Sequence, residues 1–498
     1  MNQAATLQDL QARYGERYRW LLLLAVMVGT MASIMSSTVI NVAIPDMSHQ
    51  FALGQERAQW ATSSFMVATT VAMLCTPWLL AALGYRQTYV IAMVMLLGGG
   101  IGGGLARHFE LVLVARVIEG LAAGVVQPIP AIIIMRAFAA HERGRAGGIF
   151  GMGVVLAPAL GPSIGGLLVD WFGWRSIFFM VVPFCVASIW LAYRYVPSTA
   201  PGGARPDWRG NRLDWQGLLL ATLGTLCLLN GMVELRSHGG VQAWVLLAVA
   251  LACVAAFVTW QRVQARRGDM PLMHPDLFSV RAFTMGSLVA FIYGTALFGS
   301  TYLLPLYIQM AQQLPASHVG TIMLPAGLAL AVTIPLAGRL SDHWPVRILI
   351  CLGLALLAAS FALMLTIPLG NAQAGGVSLG AGMGMLVAWV VLGRIGLGFI
   401  LPSLNNGAMY GMESRLISQA SSGINFLRML GGAVGVSLCG IVLEWRIAAH
   451  GDNLSRHETG LPRLAAFDET FVLLAFICAL AMLAAWQMKA AGRLHRGD

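Results

Sequence analysis

Charge is scarce in this chain: 10% of its 498 residues are Asp, Glu, Lys or Arg, against about 25% in soluble domains. With 58% hydrophobic residues and a mean hydropathy of +0.74, that scarcity argues against an ordinary string of soluble domains. Cysteine is also sparse, and the seven present all fall inside apolar blocks without metal-ligand spacing, which excludes a disulfide framework or a zinc site. The formal charge of +10 is spread over many loops and forms no continuous basic stripe, which excludes nucleic acid as a partner. No small-residue cleavage signature follows the first apolar block, which ends at Pro45, so that block reads as a retained span. None of the ten histidines forms a convergent catalytic or metal set with acidic neighbours at ligand spacing. An enzyme embedded in the membrane is therefore a remote alternative, with no catalytic set, metal or cofactor in view.

What is present is a series of apolar blocks of about 20 residues, each long enough to cross a hydrocarbon layer of about 30 Å as a helix. Blocks bounded by charges, Pro or Gly lie near 20 to 44, 58 to 82, 87 to 105, 109 to 135, 146 to 169 and 176 to 196. A stretch rich in Pro, Gly and Arg follows, then blocks near 215 to 233 and 242 to 261 and a second charged stretch. The last six lie near 281 to 306, 317 to 338, 346 to 368, 378 to 404, 416 to 443 and 468 to 488. The fold class is an all-α integral membrane protein with fourteen spans. Its expected domains are a six-helix bundle in 1–197, a linker with two additional spans in 198–280, and a second six-helix bundle in 281–498.

Orientation follows from the loops. With the N-terminus inside, 21 of the 31 Lys and Arg fall in cytoplasmic segments and 7 in outer ones, the bias expected of cytoplasmic loops. Both termini are expected in the cytoplasm. The outer segment 444 to 467, with Glu444, Arg446, Asp452, Arg456, Glu458 and Arg463, is either a solvated connector or a contact for a periplasmic adaptor protein. Arg116, Arg394 and Arg428 remain, all within apolar blocks. A cation at such depth is costly, faces the bundle interior or a water-filled cavity, and marks a functional candidate.

The two sets of six carry a weak internal repeat. RVIEGLAAGVVQP runs from Arg116 to Pro128 and RIGLGFILP from Arg394 to Pro402; PWLLAALGYR runs from Pro77 to Arg86 and GRLSDHWPVR from Gly338 to Arg347. Duplicated halves with a site at the midplane are a common transporter plan. GMGVVLAPALGPSIGG, Gly151 to Gly166, adds a Gly and Pro face suited to close helix contact. STVINVAIP (Ser37 to Pro45), DWFGWRSIFF (Asp170 to Phe179), YLLPLYIQ (Tyr302 to Gln309) and SSGINFLRMLGGAVG (Ser421 to Gly435) complete the series.

In this ordered set the chain resembles the major facilitator superfamily, and within it the fourteen-span branch of drug:proton antiporters. The resemblance implies a bacterial inner-membrane transporter that exports amphipathic or lipophilic small molecules at the expense of the proton gradient. It implies that Gly338, Asp342 and Arg347 form a gating loop, and that Pro158, Gly161, Pro162, Gly165 and Gly166 form the antiporter motif, a pivot or seal; ordinary tight packing is the alternative. In the first half Pro77 and Ala81 stand where the loop pattern has Gly and an acid, so the latch there is expected to be built differently. Ser36 stands where this branch usually has an acid in its first span.

The carboxylate most clearly inside a span is Glu119, which at i, i+3 can meet Arg116. The pair is a candidate for proton coupling; a permanent ion pair that neutralises Arg116 is the other reading. Ser36, Asn41, Phe65, Tyr293, Tyr302, Arg394, Asn405, Asn406, Phe426 and Arg428 are the candidate lining of a substrate cavity. Partners are then a small-molecule substrate, protons and the lipid bilayer. A dedicated exporter of one metabolite, or of an organic or fatty acid, is the alternative within transport.

Overall fold

The computed structural model describes residues 6–53, 55–58, 60–208, 210, 212–237, 240–312, 316–367, 379–451 and 461–488, and among them regular structure is helical throughout. The main helices are α1 (Tyr18–Gln50), α2 (Trp60–Gly104), α3 (Phe109–Val126), α4 (Ile129–Ala137), α5 (Arg143–Phe172), α6 (Ser176–Tyr195) and α7 (Trp215–Ser237). They continue with α8 (Val241–Arg267), α9 (Arg281–Leu306), α10 (Ala316–Ser341), α11 (Val346–Met364), α12 (Leu379–Ala408), α13 (Ile417–Ala449) and α14 (Leu461–Trp486). A short helix, Leu7–Tyr14, precedes them, opened by a capping box in which Thr6 and Asp9 satisfy each other's backbone amides.

Twelve helical segments among the described residues are long and apolar enough to cross a membrane. One of them, α2, has 45 residues, about 68 Å of helix, more than twice the hydrocarbon thickness. It holds two crossings, joined at Gly84, whose φ of 80° and ψ of 171° break the helical path. Helix α5, 30 residues long, supplies a further crossing, and α3 with α4 make one crossing bent at Pro128. Among the described residues the chain thus has helix for fourteen crossings.

The sharp junction at Gly84 differs from the open loop expected between 82 and 87. The amides of Tyr85 and Arg86 donate to the carbonyls of Thr199 (3.0 Å) and Pro197 (3.0 Å), and the amide of Asp207 donates to Ala81 (3.2 Å). Arg86 Nε adds a bond of 2.8 Å to the carbonyl of Val196. The Pro- and Gly-rich connector after α6 therefore satisfies backbone groups that the kink leaves open. Gly84 is required there, because a Cβ would lie 2.7 Å from the carbonyl of Ser198, at a φ that L side chains rarely adopt.

The outer segment is also shorter than expected. Helix α13 runs to Ala449 and α14 starts at Leu461, because Arg446 is paired with Glu469 in an ion pair between the two helices and Arg463 is buried. Asp452, Arg456 and Glu458 lie outside the described residues.

The chain divides into two compact units: Met1–Thr222 with Ala256–Leu277 and Gly411–Phe426, and Leu223–Ala255 with Phe278–Tyr410 and Leu427–Asp498. In the first unit α3 lies along α2 through Gly120 and Gly124, where a Cβ would meet the carbonyls of Phe65 and Thr69. Thr69 Oγ1 completes the contact by donating to the carbonyl of Gly120 (3.1 Å). In the second unit Gly294, Gly431 and Gly435 let α9 and α13 touch backbone to backbone. Helices in lipid associate by such close packing, since burial of apolar surface gives little driving force there. The opposite faces are apolar and exposed, as at Val114 and Leu121 on α3 or Leu328 and Val332 on α10.

Candidate functional site

Helix α3 carries Arg116 and Glu119 on one face, and both are buried, at 1% and 0% exposure. Arg116 Nη1 donates to Glu119 Oε2 at 2.6 Å. The same nitrogen reaches α1, donating to Ser36 Oγ at 2.9 Å and to the Ser36 carbonyl at 3.1 Å. Nε donates to the carbonyl of Ala61 on α2 at 3.1 Å. The guanidinium lies 4.2 Å from the ring centre of Phe65, a cation–π contact strengthened by the burial of both groups. One cation thus ties α1, α2 and α3 together.

The pair is incompletely satisfied. Glu119 Oε1 and Arg116 Nη2 are buried without a hydrogen-bond partner, and both residues line a small cavity with Ser36, Val39, Ile40, Ile177, Phe178 and Val181. Its water-accessible space is about 10 Å³, room for about one water molecule. Gly99 and Gly100 on α2 make that space: a Cβ on Gly99 would lie 2.6 Å from Glu119 Cγ, and one on Gly100 3.7 Å from Oε1.

The structure therefore brings Ser36, Phe65, Arg116 and Glu119 into one cluster. Asn41 stands apart on an exposed part of α1, accepting from Thr62 Oγ1 at 3.0 Å. Next to the cluster, Gly161 and Gly165 of α5 press on α1, where a Cβ would come within 3.0 Å of Thr38 Oγ1 and 2.6 Å of Val39 Cγ1. Gly166 faces open space. Pro158 and Pro162 lie on the same uninterrupted helix.

Tyr293, Arg394 and Arg428 form a second group, in the other unit. Arg394 on α12 is 7% exposed and reaches Thr301 Oγ1 on α9 at 3.4 Å. Tyr293 on α9 is buried within electrostatic reach of both arginines. Tyr302, Asn405 and Phe426 are half-buried. Asn406 donates to Ser341 Oγ at 3.3 Å, which places it at the end of α10 beside the predicted gating loop. In that loop Gly338 is buried, the Asp342 amide donates to the Arg339 carbonyl at 3.3 Å, and the Arg347 guanidinium stacks over Trp486 at 5.1 Å.

The internal repeat has a geometric counterpart. Gly120 and Gly398 each follow their arginine by four residues. Each packs on the second helix of its half: Gly120 against Phe65 and Ala68, Gly398 against Thr333 and Ile334. Three residues after the arginine, the first half has Glu119 and the second has Leu397, buried at 1%. Sequence reasoning missed Thr301, the Ala61 carbonyl and the significance of Leu397. Only the last had a signal, in the comparison of RVIEG with RIGLG.

Comparison with known proteins agrees with this architecture. Residues 26–436 match the Major Facilitator Superfamily model. The multidrug export protein EmrB of Haemophilus influenzae is 27% identical over 444 residues, 88% of this chain and 83% of that protein. The multidrug resistance protein Stp of Mycobacterium tuberculosis is 28% identical over 444 residues, 88% of this chain and 79% of its own. The solved structure of the proton:xylose symporter XylE superposes with a TM-score of 0.66 at 13% identity, covering 96% of this chain and 97% of that one, a likeness of fold alone. A match across most of the chain, fourteen apolar crossings and a duplicated buried arginine converge: the chain belongs to the major facilitator superfamily and is a secondary transporter of the membrane.

Proposed function

We propose that the protein is a proton-coupled exporter of amphipathic or lipophilic small molecules in a bacterial inner membrane, with Glu119 as the proton-carrying group. The observation that carries this reading is the buried Arg116–Glu119 pair with an unpartnered carboxylate oxygen beside a water-sized cavity. Multidrug relatives of similar length support the substrate class.

In this reading Glu119 takes the place of the acid that Ser36 replaces. Ser36 Oγ lies 2.9 Å from Arg116 Nη1, so a carboxylate on α1 or on α3 would face the same guanidinium. A proton arriving at Glu119 neutralises the carboxylate and frees the Arg116 nitrogen that also holds Ser36 on α1. The hold of α3 on α1 then depends on protonation, which is what coupling requires: two arrangements of packed helices biased by one local event. Gly161 and Gly165 hold α5 against α1 next to this point and serve as its seal, with Pro158, Pro162 and Gly166 completing the motif. Gly338, Asp342 and Arg347 form the gating loop of the second half.

The bundles are assigned to 1–197 and 281–498, with 198–280 adding two spans, and both termini are placed in the cytoplasm. The support is the distribution of Arg and Lys among the loops. Uptake of a lipophilic dye into inverted vesicles under an imposed pH gradient tests the proposal. Accumulation that collapses with the gradient is the expected result, and accumulation indifferent to it contradicts proton coupling.

A further inference from the structure

The two halves treat their buried arginines differently. Arg116 has a carboxylate at 2.6 Å. Arg394, at the corresponding place in the repeat and 93% buried on its 7% exposure, has Leu397 where Arg116 has Glu119. Its described hydrogen bond is a long one, 3.4 Å, to the neutral hydroxyl of Thr301. The phenol of Tyr293 lies in the neighbourhood of both Arg394 and Arg428. No described carboxylate neutralises Arg394.

A buried guanidinium without a counter-charge is destabilising, and a charged group kept at that cost is one whose counter-charge comes from elsewhere. Guanidinium forks are suited to carboxylate and sulfonate oxygens, which they bind through two parallel N–H donors. The Tyr293 hydroxyl can donate to the same oxygens, while Thr301, whose hydroxyl donates to the Leu297 carbonyl at 2.7 Å, positions the guanidinium by accepting from it.

We propose that Arg394, with Tyr293, Thr301 and Arg428 around it, binds the acidic group of an organic anion, so that the substrates of this transporter are amphipathic carboxylates or sulfonates. This deepens the transporter reading and rests on it. It is independent of whether Glu119 carries the proton.

The test is equilibrium binding to the purified full-length protein, without any gradient, of three probes that share one aromatic body: naphthalene-2-sulfonate, 2-naphthalenemethanol and 2-naphthylmethylammonium. The wild type is expected to bind the sulfonate about tenfold or more tightly than the ammonium, the size of a charge-assisted hydrogen bond. Arg394→Gln is expected to remove that preference while still binding the neutral alcohol, which also reports a folded protein. Arg394→Lys is expected to keep the preference. Equal binding of sulfonate and ammonium by the wild type overturns the proposal without need of any variant. So does binding of none of the three, or an Arg394→Gln protein that keeps its preference. Because no pH gradient enters the measurement, failure of proton coupling and failure of anion recognition are read separately.

Discussion

Arg116 Nη1 lies 2.6 Å from Glu119 Oε2 and 2.9 Å from Ser36 Oγ, so one nitrogen holds both the acid on its own helix and the serine of α1. Removing one partner of a buried pair strands the other charge, at about 3–5 kcal/mol. Glu119→Leu and Arg116→Met are each expected to lower stability by that order. The double variant is expected to lose clearly less than the two losses added together. Unfolding of the four proteins in lipid nanodiscs measures the coupling; simple additivity would show that the two side chains do not interact.

In the glycine motif of α5, Gly161 and Gly165 touch α1 and Gly166 does not. Gly165→Leu places a side chain against Val39, where even a Cβ would come within 2.6 Å, and overpacking of this kind costs about 1–3 kcal/mol or displaces the helix. Transport is expected to fall by at least an order of magnitude, measured as initial uptake in vesicles at matched expression. Gly166→Ala meets nothing within 4 Å and is expected to transport at the wild-type rate.

The shared guanidinium also predicts a rescue. An aspartate at position 36 places a carboxylate where Ser36 Oγ now meets Arg116. Glu119→Gln is expected to lose proton-driven accumulation, and Glu119→Gln with Ser36→Asp to recover a substantial part of it. Recovery is read from drug accumulation at a fixed pH gradient. A double variant as inactive as the single one would show that the two positions are not equivalent.

How much of this was legible beforehand depends on whether a feature is local in the chain. The apolar blocks marked the crossings because each meets the length requirement by itself, and the i, i+3 spacing joined Arg116 to Glu119. The contacts of Arg116 with Ser36, Ala61 and Phe65 were not readable, since they come from residues 51 to 80 positions away and depend on how α1 and α2 pack. The kink at Gly84 has no signature within its own stretch of chain, because the groups that satisfy it, the carbonyls of Pro197 and Thr199, lie beyond α6. The charged residues of the outer segment resemble loop residues in the sequence, yet Arg446 is paired with Glu469 on the neighbouring helix.

The central claim is that Glu119 carries the coupling proton, and exchange in proteoliposomes tests it most directly. Wild type and Glu119→Gln are compared for substrate counterflow without a gradient and for accumulation against a gradient. Glu119→Gln is expected to keep counterflow, which shows a folded and cycling carrier, and to lose gradient-driven accumulation. Accumulation by Glu119→Gln at the wild-type rate would contradict it and leave the pair with Arg116 as a structural one.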